Sequence, residues 1–306
     1  MDDLMVIGID HGWSHMKTRN HCFVSGISEI ESEPIVYEHI LEYNGKFYRI
    51  GGDRLKVQED KVSNDNYYLL TLPAIALEMD TRGVREAHVV LAVGLPIGRF
   101  GAEKKDFIGY LSKNKMVRFR YEKKKYTVFI DRVLVYPQCY GAIVSKLPEM
   151  NGQEFVVDIG SWTVDTLKVI DRSPDESSSG SDPNGIITCM RKIEEQCVKQ
   201  MNTKIDEYAI REVMIKGDAN LDRAYVDLIK NELTKYTKSV FRIIVEQGVN
   251  VKTTPITFVG GGAALMKRYG GIEQRNISYI EDVRANAIGY ETLAQMYMYS
   301  RKRKGA

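Results

Sequence analysis

The stretch Ile7-Gly8-Ile9-Asp10-His11-Gly12-Trp13-Ser14-His15-Met16-Lys17 runs from a short apolar strand into an acid and a glycine, and a lysine follows. A second stretch, Val156-Val157-Asp158-Ile159-Gly160-Ser161-Trp162-Thr163-Val164-Asp165, repeats the scheme of buried strand, Asp-x-Gly turn and hydroxyl-bearing residues. One Asp-x-Gly turn after an apolar run is a weak signal, because such turns close many hairpins. Two of them, separated by close to half the chain, suggest a duplicated nucleotide-binding core with one turn opening each half.

At 306 residues the chain has room for two domains, each with its own core. An apolar share of 43% against 27% charged is the balance of a globular protein rather than a disordered one. A formal net charge of +2 calls for neither nucleic acid nor an acidic partner. Met1-Asp2-Asp3-Leu4 is acidic where a secretory signal needs a basic segment, and no apolar run approaches the roughly 18 residues of a membrane span. Cys22, Cys139, Cys189 and Cys197 are too scattered for a zinc site or a disulfide framework. His11, His15, His21, His39 and His88 show no metal-ligand spacing. The expected setting is a reducing cytoplasm, with no membrane contact.

Periodicity places strands at residues 4–9 and 17–23, the second as hairpin mate of the first. A hairpin over 36–50 turns at Asn44-Gly45, since both positions of that turn require positive φ. Apolar spacing predicts a helix over 66–79, with Pro73 acceptable only in its first turn or at a kink. The apolar strand 89–93 stops at Gly94-Leu95-Pro96 and leads to a helix over 102–111. Residues 117–130 form a hairpin around Lys123-Lys124-Lys125, 133–135 is a further strand, and Pro137 suits the first turn of a helix reaching 146. The second half restarts with strands at 155–159 and 164–170. The serine-rich run 173–185 has nothing to bury and reads as a surface loop. Helices are predicted over 187–201 and 222–247, the latter stopped by Gly248. A strand over 256–259 feeds Gly260-Gly261-Gly262 and a short helix, 263–269; a last helix, 282–299, ends in the basic tail Arg301-Lys302-Arg303-Lys304. Strands followed by helices, twice, mean α/β layers, in domains expected at 1–154 plus 284–306 and at 155–283.

A nucleoside triphosphate needs three kinds of group. Backbone N–H groups at Gly12 and Gly160 can approach phosphate oxygens closely, with Trp13 in the first turn and Ser14, Ser161 and Thr163 as hydroxyl donors. Asp10 and Asp158 can hold Mg2+ through its retained waters, because that ion dehydrates reluctantly. Lys17 can offset charge on the terminal phosphates, and Gln138 can orient a water for attack. The turn Gly260, Gly261 and Gly262 would let the nucleoside lie flat against backbone. Singly, these residues have plainer roles: Asp10 and Asp158 as turn or cap residues, Lys17 as a solvated strand position, Trp13 and Trp162 as packing. The reading rests on order and spacing together.

Those motifs resemble the actin, sugar-kinase and heat-shock ATPase superfamily. Asp10-x-Gly12 with Lys17 is similar to its first phosphate motif, and Asp158-x-Gly160 through Asp165 to its second. Val259-Gly260-Gly261-Gly262-Ala263 resembles the adenosine motif, Gln138 lies where the first connecting motif would be, and 285–290 resembles the second. Within the superfamily the chain looks most like ParM-like bacterial actins, on Leu69-Leu70-Thr71-Leu72-Pro73-Ala74, Leu91-Ala92-Val93-Gly94-Leu95-Pro96 and Asp158-Ile159-Gly160-Ser161-Trp162-Thr163. The resemblance implies two RNase-H-like (actin-fold) domains flanking a nucleotide cleft, binding ATP with Mg2+ and with GTP left open. It implies catalytic roles for Asp10, Asp158 and Gln138, an ATP-hydrolysing filament of identical subunits, and plasmid segregation through a ParR-like adaptor on centromere-like DNA. Direct nucleic-acid contact is not expected. The chain departs from the pattern in His11 and Trp162, which stand where smaller residues are common, in Gln138 where ParM proteins carry Glu, and in the serine-rich run where a hairpin strand is expected. The alternative is a small-molecule kinase or regulatory ATPase of the same superfamily that does not polymerise; no substrate-site motif favours it.

Overall fold

The computed structural model describes residues 4–56, 60–272 and 274–304, in two compact units: Met1–Ser145 with Arg284–Ala306, and Lys146–Val283. Residues 146–154, placed with the first domain on sequence, cluster with the second unit. There Lys146 ion-pairs with Glu154 and donates to Thr257 at 2.6 Å and Ser278 at 2.8 Å.

The first unit is built on a nine-stranded mixed sheet. β1 (Leu4–His11) is buried from Val6 onward and lies parallel to β7 (Glu86–Leu95), which is parallel in turn to β9 (Lys124–Pro137). Parallel strands covered on both faces read as the continuous apolar runs seen here. Beyond β1 the sheet continues through β2 (His15–Thr18) and β3 (Cys22–Val24). The single strand expected over 17–23 is thus two, because the chain turns between them, with Thr18 N–H bonded to the His21 carbonyl. On the other side, β8 (Met116–Tyr121), β5 (Ile40–Tyr43), β6 (Lys46–Ile50) and β4 (Ile27–Ile30) complete the order β3-β2-β1-β7-β9-β8-β5-β6-β4. Asn44 and Gly45 take φ of 52° and 75°, the geometry their turn demands. Glu122 and Lys123, at 51° and 66°, make a second such turn at the lysine-rich hairpin.

Helix α1 (Asn66–Thr81) is buried along nearly its whole length, and Pro73 lies in its interior, not its first turn. Its neighbours Leu72, Ala74 and Ile75 are 0–1% exposed, so dense packing offsets the hydrogen bond that proline cannot donate. Helix α2 (Ile97–Leu111) starts immediately after Pro96, earlier than apolar spacing predicts. Pro137 ends β9 and is not the start of an α-helix; only two short 3-10 turns follow, Gly141–Ile143 and Leu147–Glu149. The reason is space. Helix α7 (Ala285–Lys304) packs so closely that a Cβ on Gly289 would sit 1.8 Å from the Gly141 carbonyl oxygen, and one on Gly141 would strike the Tyr290 ring at 2.4 Å. α7 also runs through the basic tail to Lys304 rather than stopping at 299.

The second unit carries a five-stranded sheet, β12-β11-β10-β13-β14. β10 (Gln153–Ile159) pairs antiparallel with β11 (Val164–Ile170) and parallel with β13 (Ile256–Val259), which pairs with β14 (Ile277–Ile280). The serine-rich run is not a loop: Ser173–Asp182 forms β12, an edge strand bonded to β11 across a bulge. Helices α3 (Ile186–Met201), α4 (Glu207–Lys216) and α5 (Arg223–Glu246) bury Ile193, Ile210, Ile229, Leu233 and Val240 in one core. Asp206 and Asp222 cap α4 and α5 by accepting from Tyr208 and Ala224 N–H. Gly248 (φ 77°) follows α5, and α6 (Gly261–Tyr269) follows β13. No helix among the described residues is long and apolar enough to cross a membrane.

Candidate functional site

In the first unit, Asp10 is the last residue but one of β1 and is 3% exposed. Lys17 reaches it across the β1–β2 pair, where the two residues are direct partners, and donates from Nζ to Oδ2 at 2.9 Å. Gln138, just past the end of β9, donates from Nε2 to the other oxygen, Oδ1, at 3.3 Å. The next residue, Cys139, is buried with a left-handed φ of 64°. Burial alone would push the Asp10 carboxyl up, but Lys17, then Lys61, outweighs it and holds the group below the usual carboxylate range. Lys17 and Gln138, both chosen on sequence, therefore converge on the ionised carboxylate of a third such residue, Asp10.

Gly12 turns the chain beside them. A Cβ there would lie 2.6 Å from the His15 carbonyl oxygen, and the Gly12 carbonyl accepts from Ser25 Oγ at 2.6 Å. The Ser14 hydroxyl is buried and has no hydrogen-bond partner among the described residues. Such a group costs about 1–3 kcal/mol unless something binds it. Trp13 is half-buried and meets Tyr67 edge-on at 5.7 Å, a packing contact. His11 is fully buried between Tyr67 and Phe107, and its Nε2 lies 2.9 Å from Thr71 Oγ1. Burial first, then the Lys61 charge, lowers its pKa to about 3, so the ring is neutral.

In the second unit, Asp158 occupies the matching place on β10. The turn after it closes with Gly160 N–H donating to the Thr163 carbonyl at 2.9 Å, and Thr163 Oγ1 donates to Asp165 at 2.8 Å. The turn is tied to the start of α3: Gly185, Ile186 and Ile187 N–H donate to the carbonyls of Trp162, Gly160 and Ser161. Gly185 sits so near that a Cβ would be 2.4 Å from the Trp162 carbonyl carbon. The Trp162 ring lies under the Arg191 guanidinium at 5.0 Å. Gly260, with φ 76°, caps α6, and its Cβ would come 3.0 Å from Asp158 Oδ1. Gly261 and Gly262 are the first residues of α6, and Gly262 lies against Ile159, where a Cβ would meet that residue's Cβ at 2.3 Å. The triple glycine thus serves a close helix–strand approach next to an acid.

Lys61 is the residue the sequence does not single out. It is 6% exposed on the loop before α1, which Asp60 shapes by accepting from Val62 and Ser63 N–H at 2.9 and 2.7 Å. With Leu95, Arg99 and Phe107 it lines a cavity of about 210 Å³. Nothing in a single lysine within a polar loop signals burial.

Residues 8–141 match the family model for the N-terminal domain of actin-like proteins. No curated protein matches the chain by sequence. Among solved structures, that of Ta0583, an archaeal actin homolog, aligns with a TM-score of 0.78 at 21% identity, covering 96% of this chain and 100% of that one. The apo psk41 ParM protein aligns at 0.74 and 17%, covering 98% and 99%. A 15-stranded ParM filament from Clostridium botulinum aligns at 0.74 and 18%, covering 96% and 99%. The chain has the two-domain actin fold of these structures, ParM among them, and its residues 8–141 match an actin-like N-terminal domain.

Proposed function

We propose that the chain binds and hydrolyses ATP in the cytoplasm and polymerises in response, as a filament that moves plasmid DNA through a DNA-binding adaptor. The observation that carries this is the buried Asp10 carboxylate, held ionised by Lys17 and bonded by Gln138. The Ser14 hydroxyl in the following turn, which has no hydrogen-bond partner among the described residues, supports a bound oxyanion. Structural relatives described with ADP (Ta0583) and with ATP (Bacillus thuringiensis ParM), and as a filament (Clostridium botulinum ParM), support nucleotide and polymer alike.

In this reading Asp10 and Asp158 hold Mg2+ through its waters. The ion, when bound, offsets the charge that gathers on the phosphates during transfer. Gly12 and Gly160 N–H, with Ser14, Ser161 and Thr163, take the phosphate oxygens, and Lys17 turns from Asp10 toward them. Gln138, whose Nε2 lies 3.3 Å from Asp10 Oδ1, is placed to orient the attacking water. Gly260, Gly261 and Gly262 keep side chains out of the nucleoside's way.

Light scattering and phosphate release, followed together after Mg-ATP is added to micromolar protein, test the proposal. Scattering should rise and then decay as nucleotide is consumed. Asp158→Ala should form filaments that disassemble more slowly. A flat trace with ATP binding confirmed would point instead to a non-polymerising kinase or regulatory ATPase.

A further inference from the structure

Two surface patches of the first unit are matched in character. The loop joining β4 to β5 carries Ile35, 99% exposed, and Val36, 63% exposed. From 31 to 38 it carries Glu31, Glu33 and Glu38 and no basic residue. The loop is anchored rather than frayed: Tyr37 donates its hydroxyl to Glu33, meets Phe47 edge-on at 6.3 Å and lies under the Lys123 ammonium at 4.4 Å. Its apolar residues are therefore held out in water, on a loop that also carries three carboxylates.

The C-terminal end of α7 is its complement. Met296 and Tyr299 are 62% and 59% exposed. Arg301 lies 5.7 Å from the Tyr297 ring, which also carries Arg132 at 6.0 Å, and Arg303 lies 5.0 Å from the Tyr299 ring. Guanidinium groups parked on aromatic faces are positioned while still able to pair with carboxylates.

We propose that the 31–38 loop of one copy docks on the C-terminal end of α7 of a second copy. The two patches cannot serve each other within one chain. Tyr37 of the loop lies under Lys123, just before β9 begins at Lys124, whereas Tyr297 is held by Arg132, eight residues further along β9. At about 3.3 Å per residue that is about 26 Å. Contact between two different patches of identical copies is heterologous, and repeated without closure it builds an open polymer. The proposal rests on the polymer reading and gives it an interface.

Pelleting with Mg-ATP, read as critical concentration, tests it. Ile35→Asp should raise the critical concentration about tenfold or more, the change that loss of about 1.4 kcal/mol produces. Arg301→Glu with Arg303→Glu should do likewise, and adding Glu31→Arg and Glu33→Arg should bring it back toward wild type, as coupled sites require. Fluorescent-nucleotide affinity and melting temperature should stay unchanged in all three. If wild type fails to pellet, the polymer reading falls and this contact with it. If wild type and Ile35→Asp pellet alike, the contact alone is wrong. Arginine variants that pellet normally but lose retention of duplex DNA would make the helix end a nucleic-acid surface and overturn the contact too.

Discussion

Replacing Glu291 with alanine should loosen α7 from β1, the strand that carries Asp10. Glu291 is 2% exposed and accepts from Gly8 N–H at 3.1 Å, Arg19 Nε at 2.7 Å and Arg82 Nη2 at 3.2 Å. Alanine would leave one buried backbone donor and two guanidinium groups facing space the carboxylate had filled. Removing one partner of a buried ion pair costs about 3–5 kcal/mol. The side chains of Arg19 and Arg82 remain 35% and 26% exposed and can recruit water, and Arg82 keeps Glu78 at 3.3 Å, so the low end applies, about 3 kcal/mol. For a unit of about 170 residues, each kcal/mol lowers Tm by about 2–4 °C, giving a fall of about 6–12 °C. Glu291→Gln keeps the shape and one acceptor and should lose less than half as much. Thermal melting by circular dichroism, with urea titration to check that the m-value is unchanged, measures both. An alanine variant melting within about 2 °C of wild type would refute the reasoning, since the arginines would then be equally well served by water.

Glu78 predicts an acid-side loss of stability. Burial alone would raise its pKa, but hydrogen bonds from Thr18 and Asn20, with the Arg82 charge, hold it below the usual range. Its contribution is therefore complete above the unfolded value of about 4.3 and lost as pH falls through the lower folded value. The urea midpoint should drop over that window, less steeply in Glu78→Gln. Gly262→Ala forces a methyl against Ile159 and should destabilise the second unit by about 1–3 kcal/mol, read from the urea midpoint. Cys22 is exposed whereas Cys139, Cys189 and Cys197 are buried, and burial pushes the Cys189 thiol up to about 12. Iodoacetamide should alkylate Cys22 alone in the native protein and all four cysteines in urea.

What the sequence made legible is what local chemistry determines. Asn44-Gly45 demands its turn, Asp222 and Gly248 bracket α5, and an apolar run meeting Asp-x-Gly marks β1 and β10 whatever surrounds them. The misreadings each depend on something distant. Ser173–Asp182 is a strand because β11 offers its backbone groups, not because serine and aspartate favour one. Pro73 stays inside α1 because the helix is buried along nearly its length. The helix expected after Pro137 gives way to 3-10 turns because Gly289 and Tyr290, far along the chain, occupy the space a regular helix would need. In the site, Asp10, Lys17 and Gln138 were found by motif order, while Lys61 was not, since its burial is a property of the fold.

Buried carboxylates also show why one acid of the first unit suits ligand exchange better than its neighbours. Glu78, Glu291 and Asp10 are all nearly inaccessible, and periodicity alone would assign each to a solvated position or a cap. Glu78 accepts from the backbone N–H of Asn20, and Glu291 from that of Gly8. Those donors cannot leave without moving the main chain, so these carboxylates act as ties between distant segments. Asp10 is bonded instead by the ends of two side chains, Lys17 Nζ and Gln138 Nε2, one on each oxygen. A quarter of the Lys17 side chain is already exposed. Both donors can rotate away at the cost of a rotamer change, and in the proposed role a cation would then supply replacement positive charge. A carboxylate kept ionised by partners that can let go suits the metal-holding role proposed above, whereas one pinned by the main chain is structural.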